Sequence, residues 1–450
     1  MATRVKAARN KRKRADDSVL EREFEQSRAL RIVALVSILA VSAWLVAALF
    51  APGLRYTLAS LPQASPESED FLNELAPLVN SKITRGNQIQ ILANGETFYD
   101  AEFSALQLAQ HSIDIEAYIF HKGEVTRRLL EVLTERARNG IKVRLVLDSL
   151  GSVSMPKKTF KPLIAAGGRV EWYHPLRWNN WFLSNNRTHR ELTIIDGSIA
   201  FVGGAGFADW WRFSKNGEPR WRDTVFRVQG EAVPSLQSVF VENWLEASGE
   251  ILYGPDFFPA QMGNPGKTIA LIIASTPSSG GSTRSRILFQ TLLAAAKKSI
   301  CITTPYFLPD RSMRQEMAHA LGRGVRVRIL VPGKHTDHYL TRSSGRSVYG
   351  DLLKAGAEIY EYQASMIHAK IMLIDEAWIV IGSTNLDNRS FGINDEVNVA
   401  ALDRQLASTL TREFEQDLSQ SHRVTLETWN NRPTYERVAE WIGWVVARQQ

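Results

Sequence analysis

Two histidines begin matching segments of the chain. His189 starts the segment HRELTIID and His368 starts the segment HAKIMLID, and the two segments align without a gap. An imidazole is a good nucleophile toward phosphorus, and a second imidazole can protonate the departing alkoxide. Lys370 stands two residues after His368, so a strand would place its ammonium and the imidazole on one face, toward one anion. The pattern predicts phosphodiester chemistry without a metal, at a site built from both segments.

A single histidine on a strand is more often a packed core residue than a catalytic one. The duplication favours a functional interpretation, because the similarity continues past both segments to Gly204 and Ser383, each preceded by a glycine. Asp196 and Asp375, which end the two segments, are expected to be structural, since each would close a strand before a turn.

Strands that alternate with helices are expected around both segments. In the first half we predict a helix at Val125–Asn139 and a strand at Lys142–Asp148. The second half repeats the series, with a helix at Arg311–Arg323 and a strand at Val325–Val331. Such alternation implies crossover connections and a largely parallel sheet. We therefore predict an α/β fold of two duplicated units packed around one active site.

A membrane signal precedes this fold. Residues 32–51 are uncharged, and a helix of that length spans about 30 Å, the thickness of a bilayer's hydrocarbon core. The run is too long for a cleaved signal peptide and apolar on all faces, which favours a transmembrane signal anchor over a buried core helix. Ten Lys and Arg residues within residues 1–31 predict a cytoplasmic N-terminal tail, with the folded part on the periplasmic side of the inner (plasma) membrane.

The remaining boundaries follow from composition and from the duplication. Residues 52–84, which contain several prolines, are expected to be a linker. The first unit is expected over residues 85–265 and the second over residues 266–430. Residues 431–450 form an amphipathic segment that could dock on the protein or lie on the membrane.

The charge of the chain argues against a nucleic-acid partner. The formal net charge is +7, but ten basic and five acidic side chains in residues 1–51 contribute +5 of it. The folded part is nearly neutral, whereas proteins that bind nucleic acid usually present a basic surface. The single cysteine, Cys301, excludes an intramolecular disulfide and any multi-cysteine zinc site.

The two segments resemble the signature of the phospholipase D superfamily, His-x-Lys-x4-Asp, which occurs twice per active site. The second copy matches fully and continues into Gly-Ser-x-Asn at residues 382–385. The stretches TPYFLPD at residues 304–310 and WRDT at residues 221–224 are similar to the bacterial cardiolipin synthase branch. The resemblance implies a covalent phosphatidyl-histidine intermediate, no metal or other cofactor, and transfer to an alcohol or to water.

The resemblance also implies a role for each residue of the site. His189 would be the nucleophile and His368 the general acid. An acid from the opposite half would orient each imidazole, Glu396 toward His189 and Asp223 toward His368, and so fix its tautomer. Lys370, Ser383 and Asn385 would hold the phosphate. Glu191 and Gly204 are the candidate substrate-binding residues of the first half.

The first copy departs from the signature at two positions. Glu191 stands where the family has lysine, and Gly206 stands where it has asparagine. Unit charges 4 Å apart interact at about 4 kcal/mol for an effective dielectric of 20, so an inward carboxylate would oppose phosphodiester binding. Glu191 could turn away or pair with Arg187 or Arg190, or it could bind a cationic headgroup. Alternatively, the protein could have lost catalysis and kept lipid binding.

The retention of both histidines and both candidate acids favours an active enzyme. The leading hypothesis is a membrane-anchored phosphatidyltransferase or phospholipase D, most like cardiolipin synthase. Its substrates would be phosphatidylglycerol or a similar phospholipid, with an alcohol or water as acceptor. The alternatives are a phosphodiesterase acting on nucleic acid and a catalytically weakened lipid-binding protein. Trp210 and Trp211, which follow His189, could pack in the core or line a membrane-facing rim.

Overall fold

The computed structural model describes residues 31–44, 55–175, 185–214, 217–260, 263–277 and 283–446. The chain divides into two compact units, Met1–Arg55 and Tyr56–Gln450. In the first unit, residues 31–44 are helical (α1) and their apolar side chains are exposed. Within the described ranges, no helix combines the length and the apolar character that a bilayer crossing requires. Residues 45–51 of the predicted span lie outside these ranges.

The second unit contains all of the strands that the described residues form. In chain order they are β1 (Thr84–Ala93), β2 (Ser112–Ala117), β3 (Lys142–Asp148), β4 (Arg169–Tyr173), β5 (Glu191–Ile195), β6 (Ile199–Gly203), β7 (Thr224–Gln229), β8 (Thr268–Ser275), β9 (Ser299–Thr303), β10 (Arg326–Pro332), β11 (Glu358–Tyr362), β12 (Ile371–Ile374), β13 (Trp378–Gly382), β14 (Glu396–Leu402) and β15 (Ser421–Val424).

Helices connect and cover these strands. They are α2 (Glu69–Leu78), α3 (Asn94–Gln107), α4 (Glu124–Arg138), α5 (Lys161–Ala165), α6 (Val233–Ser248), α7 (Arg284–Ala295), α8 (Arg311–Gly322), α9 (Tyr339–Arg346), α10 (Tyr349–Ala355), α11 (Asn388–Gly392), α12 (Arg404–Ser419), α13 (Leu426–Asn430) and α14 (Thr434–Val446).

The strands join in one mixed sheet, in the order β15-β11-β10-β9-β12-β13-β14-β8-β1-β7-β6-β5-β2-β3-β4. Pairing is parallel within β2-β3-β4 and within β9-β10-β11, and antiparallel at every other pair of neighbours. The prediction of a largely parallel sheet is therefore wrong. After its three parallel strands, each half continues with an antiparallel hairpin, β5-β6 or β12-β13.

The halves share a core in addition to the sheet. Ile194 and Val202 of the first half belong to the same buried apolar cluster as Ile381 and Val399 of the second. Two further clusters lie under the helices, one in each half. The duplicated α/β architecture is confirmed, and the two halves meet along β6, β7, β13 and β14.

Part of the predicted linker is a packed helix. Within residues 52–84, helix α2 buries Phe71, Leu72 and Leu75 in the core of the second half. The spacing of these side chains gives the helix one apolar face, which the prolines around it obscured in the sequence. Ser68 caps the helix by accepting a hydrogen bond from the Phe71 N–H at 3.2 Å.

The C-terminal amphipathic segment docks on the protein. Helix α14 lies against α9, and Gly443 allows the close approach because a Cβ there would collide with Ser344. Arg346 bonds to Glu436 at 3.1 Å and approaches Glu440 to 3.6 Å. Of the two positions that the sequence left open for this segment, the structure shows docking for Thr434–Val446.

Candidate active site

The two histidines precede the central hairpins of the two halves, and each is tied to the opposite half by its backbone. The His189 N–H donates to the Asp395 carbonyl at 2.9 Å, and the His368 N–H donates to the Arg222 carbonyl at 2.7 Å. In both cases the next residue of the partner strand is an acid. The neighbouring backbone is paired in the same way in both halves, by a parallel bridge between Thr188 and Asp395 and another between Arg222 and Ile367.

Each imidazole therefore meets a carboxylate from the other half. His189 Nδ1 lies 3.1 Å from Glu396 Oε1, and His368 Nδ1 lies 3.0 Å from Asp223 Oδ2. Both carboxylates are fully buried. An acid at Nδ1 favours the tautomer that carries its proton there, which leaves Nε2 free to attack or to transfer a proton.

Further donors hold the two acids in place. The indole N–H of buried Trp211 donates to Asp223 Oδ2 at 3.1 Å, and the Thr224 N–H donates to Asp223 Oδ1 at 2.8 Å. Ser383, which the resemblance assigned to the phosphate, donates its hydroxyl proton to Glu396. Trp211 thus packs in the core and supports the acid, a function that only the folded arrangement reveals.

Lys370 provides the buried cation of the site. Its Nζ lies 3.2 Å from His368 Nδ1 and 3.3 Å from Nε2, and it donates to the His368 carbonyl at 3.0 Å. Burial lowers the pKa of Lys370, while Asp223 and Glu396 act in the opposite direction. Gly204 gives this side chain room, because a Cβ there would lie 3.0 Å from Nζ.

The same burial acts on His368. Desolvation and the neighbouring Lys370 ammonium lower the pKa of His368, and the contact with Asp223 raises it. His368 is 3% exposed, whereas the His189 side chain is 12% exposed. The more open imidazole therefore faces the solvent side of the site.

Asn385 carries a buried amide oxygen, Oδ1, that no residue of the described part of the chain pairs with. Its backbone N–H donates to Ser390 Oγ at 3.1 Å, which fixes the loop that carries it. A buried amide oxygen without a partner is costly, and because it accepts hydrogen bonds, a donor such as a substrate hydroxyl group would complete its bonding.

Glu191 is buried at the start of β5 and faces the backbone. Its Oε1 accepts a hydrogen bond from the Ile119 N–H at 3.0 Å. Gly206, the other departure from the signature, lies against this carboxyl group, because a Cβ there would be 2.7 Å from Oε1. The two departures therefore touch each other and form one local arrangement.

The arginines near Glu191 in sequence bind other acids. Arg190 bonds to Glu242 at 2.7 Å, and Arg187 lies 3.5 Å from Asp148. The sequence left open a pairing of Glu191 with Arg187 or Arg190. In the structure, Glu191 instead accepts a hydrogen bond from the Ile119 N–H.

Asp196 and Asp375 hold the backbone in the same way in both halves. Asp196 accepts hydrogen bonds from the N–H groups of residues 110, 111 and 112 at 2.7–3.2 Å. Asp375 accepts from the N–H groups of residues 297, 298 and 299 at 2.7–2.9 Å. Each carboxylate fixes the start of a parallel strand, β2 or β9. Its oxygens are used in these backbone hydrogen bonds, as expected for a structural residue.

Both halves of the chain are similar to known proteins. The family model described as cardiolipin synthase, PLD-like domain, matches residues 103–225 and 289–418. The major cardiolipin synthase of Bacillus subtilis (strain 168) is 35% identical over 385 residues, which cover 85% of this chain and 79% of that protein. The cardiolipin synthase of Geobacillus kaustophilus is 33% identical over 387 residues, 85% of this chain and 76% of that protein.

A solved structure supports the same fold at greater distance. The crystal structure of phosphatidylserine synthase from Haemophilus influenzae Rd KW20 superposes with a TM-score of 0.64 and 14% identity. The match covers 83% of this chain and 99% of that chain. The matched family segments include both histidines, both acids and Lys370. The chain therefore belongs to the cardiolipin synthase family of phospholipase D-like proteins.

Proposed function

We propose that the protein is a phosphatidyltransferase that joins two phospholipids into a cardiolipin-type product through a phosphohistidine intermediate. The observation that carries this proposal is the pairing of each histidine with an acid from the opposite half, His189 with Glu396 and His368 with Asp223. Two imidazoles oriented in one site can divide a transfer reaction into two displacement steps. The similarity to cardiolipin synthases over most of the chain supports a phospholipid substrate such as phosphatidylglycerol.

In the first step, His189 Nε2 attacks the phosphorus of the donor phospholipid. The nitrogen–phosphorus bond forms as the bond from phosphorus to the headgroup oxygen breaks, and His368 gives its proton to that oxygen. Glu396 stabilises the positive charge that develops on His189. The Lys370 ammonium and the amide NH2 group of Asn385 donate to the non-bridging oxygens, where negative charge is concentrated.

In the second step, the roles of acid and base exchange. Neutral His368 removes a proton from the hydroxyl group of the acceptor, whose oxygen attacks the phosphorus and releases His189. A second phosphatidylglycerol as acceptor yields cardiolipin, and water as acceptor yields phosphatidic acid. The first step with phosphatidylglycerol releases glycerol.

The proposed location is the inner membrane, with residues 32–51 as a single transmembrane anchor. The uncharged run and the basic side chains within residues 1–31 support a cytoplasmic N-terminus and a periplasmic catalytic part. A reporter enzyme that is active only in the periplasm, fused after Gln450, is expected to be active. Activity of a cytoplasm-specific reporter at the same position would contradict this topology.

The activity is tested by giving the purified protein phosphatidylglycerol micelles and, separately, single-stranded DNA. We expect cardiolipin or phosphatidic acid from the wild type and neither product from His368→Ala. Cleavage of DNA alone would favour the nucleic-acid phosphodiesterase. A wild type that binds phosphatidylglycerol vesicles but converts neither substrate would favour the lipid-binding alternative.

A further inference from the structure

Glu191 occupies the position of the first half that corresponds to Lys370 in the second. It stands two residues after His189, as Lys370 stands two residues after His368. Glu191 is 6% exposed, and one of its carboxyl oxygens, Oε1, accepts a hydrogen bond from the Ile119 N–H. The other oxygen, Oε2, is buried and has no hydrogen-bond partner among the described residues. A buried polar atom in this state needs a partner that the described residues do not supply, which a substrate oxygen or a water can provide.

We propose that Glu191 is a neutral carboxylic acid that donates a hydrogen bond from Oε2 to a non-bridging oxygen of the substrate phosphodiester. This inference rests on the proposed function and assigns the phosphate contact of the first half. Oε1 has the acceptor role toward the Ile119 amide, so the proton belongs on Oε2. A hydrogen bond from a hydroxyl group to a charged oxygen is short and strong.

The surroundings of Glu191 favour its protonated form. Burial raises the pKa of Glu191 well above its ordinary range, and the negative charge of Asp223 raises it further. The backbone N–H groups of Ile119 and Tyr118 and the Lys370 ammonium lower the pKa of Glu191, but burial outweighs them. A bound phosphodiester adds a second negative charge beside the group, which favours the neutral form still more.

Three other titratable groups face Glu191. The hydroxyls of Tyr99 and Tyr118 interact with it, and burial raises the pKa of both, so they are neutral near pH 7. Glu102 lines the same small cavity as Glu191, and burial raises the pKa of Glu102 to about 7. Because Glu102 titrates near neutrality, it has to be separated from Glu191 in any pH experiment.

Gly206 belongs to the same local arrangement as Glu191. The second half has Asn385 at the matching position, whereas the first half has no side chain there. A Cβ at Gly206 would collide with the Ile119 carbonyl and lie 2.7 Å from Glu191 Oε1. The missing side chain therefore makes the space that the glutamic acid occupies. A carboxylic acid kept neutral in such a site can serve as a donor to an oxyanion.

The kinetic test compares two substitutions of Glu191 with a control in the same cavity. Glu191→Gln keeps a neutral N–H donor, and we expect it to lower kcat/KM by less than tenfold. Glu191→Ala removes the donor, and we expect a loss of about 100-fold or more, the usual effect of deleting one oxyanion donor. The ratio of Glu191→Gln to wild-type kcat/KM should rise with pH, because only the wild type loses its donor by ionisation. Glu102→Gln should not reproduce this rise.

Several results would overturn the inference. A glutamine variant as inactive as the alanine variant would show that the carboxylate is required. An alanine variant as active as the wild type would show that Glu191 does not contact the substrate. A ratio that is flat or falls with pH would also contradict it. A wild type inactive on phosphatidylglycerol would instead refute the proposed function, so the two failures are distinguishable.

Stability gives a second measurement that requires no turnover. Between the ordinary pKa of glutamic acid and its raised value in the folded protein, only the unfolded chain loses the proton, so rising pH favours unfolding. Glu191→Gln removes this effect. Its Tm, relative to the wild type, should therefore rise as pH increases above the ordinary pKa of glutamic acid, about 4.3. A relative Tm that stays flat above about pH 5 would show that Glu191 is ionised in the folded protein, because a carboxylate paired with Lys370 keeps its charge throughout that range.

Discussion

At the scale of single residues, the two imidazoles differ in their electrostatic surroundings. Burial and the Lys370 ammonium lower the pKa of His368, although Asp223 opposes the shift. If His368 is the general acid, the free enzyme needs it protonated, and that form is lost as pH rises through the lowered pKa. A bound phosphodiester would offset the field of Lys370 and help His368 to keep its proton.

We expect kcat/KM on phosphatidylglycerol micelles to fall as pH rises above the lowered pKa of His368, tenfold per pH unit. Lys370→Met removes one of the two causes of the lowered pKa, so the falling limb should move to higher pH, even though the activity decreases. The measurement is the pH profile of kcat/KM for both proteins. An unmoved limb, or activity that increases through this range, would contradict the assignment of His368.

Trp211 acts through the acid that it supports. Its indole N–H donates to Asp223, and a hydrogen bond to a charged group contributes about 1.5–3 kcal/mol. Trp211→Phe should therefore lower kcat by about tenfold or more and shift the limb of His368, because Asp223 is less well held. The matched control is Trp210→Phe, since within the described residues the Trp210 N–H has no partner to lose. Equal effects of the two substitutions would exclude this positioning role.

At the scale of elements, the parallel strands depend on a carboxylate that closes each hairpin. Asp375 has a φ of 55° and accepts three backbone N–H bonds at the start of β9. Asp375→Ala leaves these donors unpaired and places alanine in the left-handed region, so we expect a loss of about 3 kcal/mol in the free energy of unfolding.

Urea unfolding measures this effect, and the same turn offers a control. Glu376 also has a positive φ, but its side chain is exposed. Glu376→Ala should therefore cost clearly less than Asp375→Ala. Equal costs would mean that the turn conformation, and not the carboxylate, holds the strand.

The elements also show where sequence reasoning succeeds and fails. The strand Lys142–Asp148 has its predicted bounds, because a buried apolar run between two turns is a local signal. The strand predicted at Val325–Val331 is found one residue later, at Arg326–Pro332. The extent of parallel pairing was overestimated, because the periodicity of a strand does not indicate whether it pairs with its neighbour in a hairpin. Helix α2 was missed because its apolar face lies among prolines that are typical of linkers.

At the scale of the whole molecule, the site exists only where the halves meet. The repeated segments indicated both histidines and Lys370, and the family resemblance indicated the acids from the opposite halves. The sequence could not indicate which way Glu191 faces, because that depends on Ile119 and Gly206, which are distant from it in the chain. The sequence also could not indicate that the Ser383 hydroxyl donates to Glu396. A hydroxyl group can donate to a carboxylate or to a phosphate, so its residue type does not decide between them.

The central proposal is one shared site with His189 as its single nucleophile, and trapping the intermediate tests it most directly. The test uses the variant His368→Ala and a phospholipid whose headgroup is replaced by p-nitrophenol. This leaving group departs without protonation, so the first step does not require the general acid that the variant lacks. We expect the adduct to accumulate, with mass spectrometry placing the phosphatidyl group on the peptide that contains His189. No adduct is expected in His189→Ala. An adduct elsewhere, or turnover of this substrate by His189→Ala, would contradict the shared site with His189 as its nucleophile.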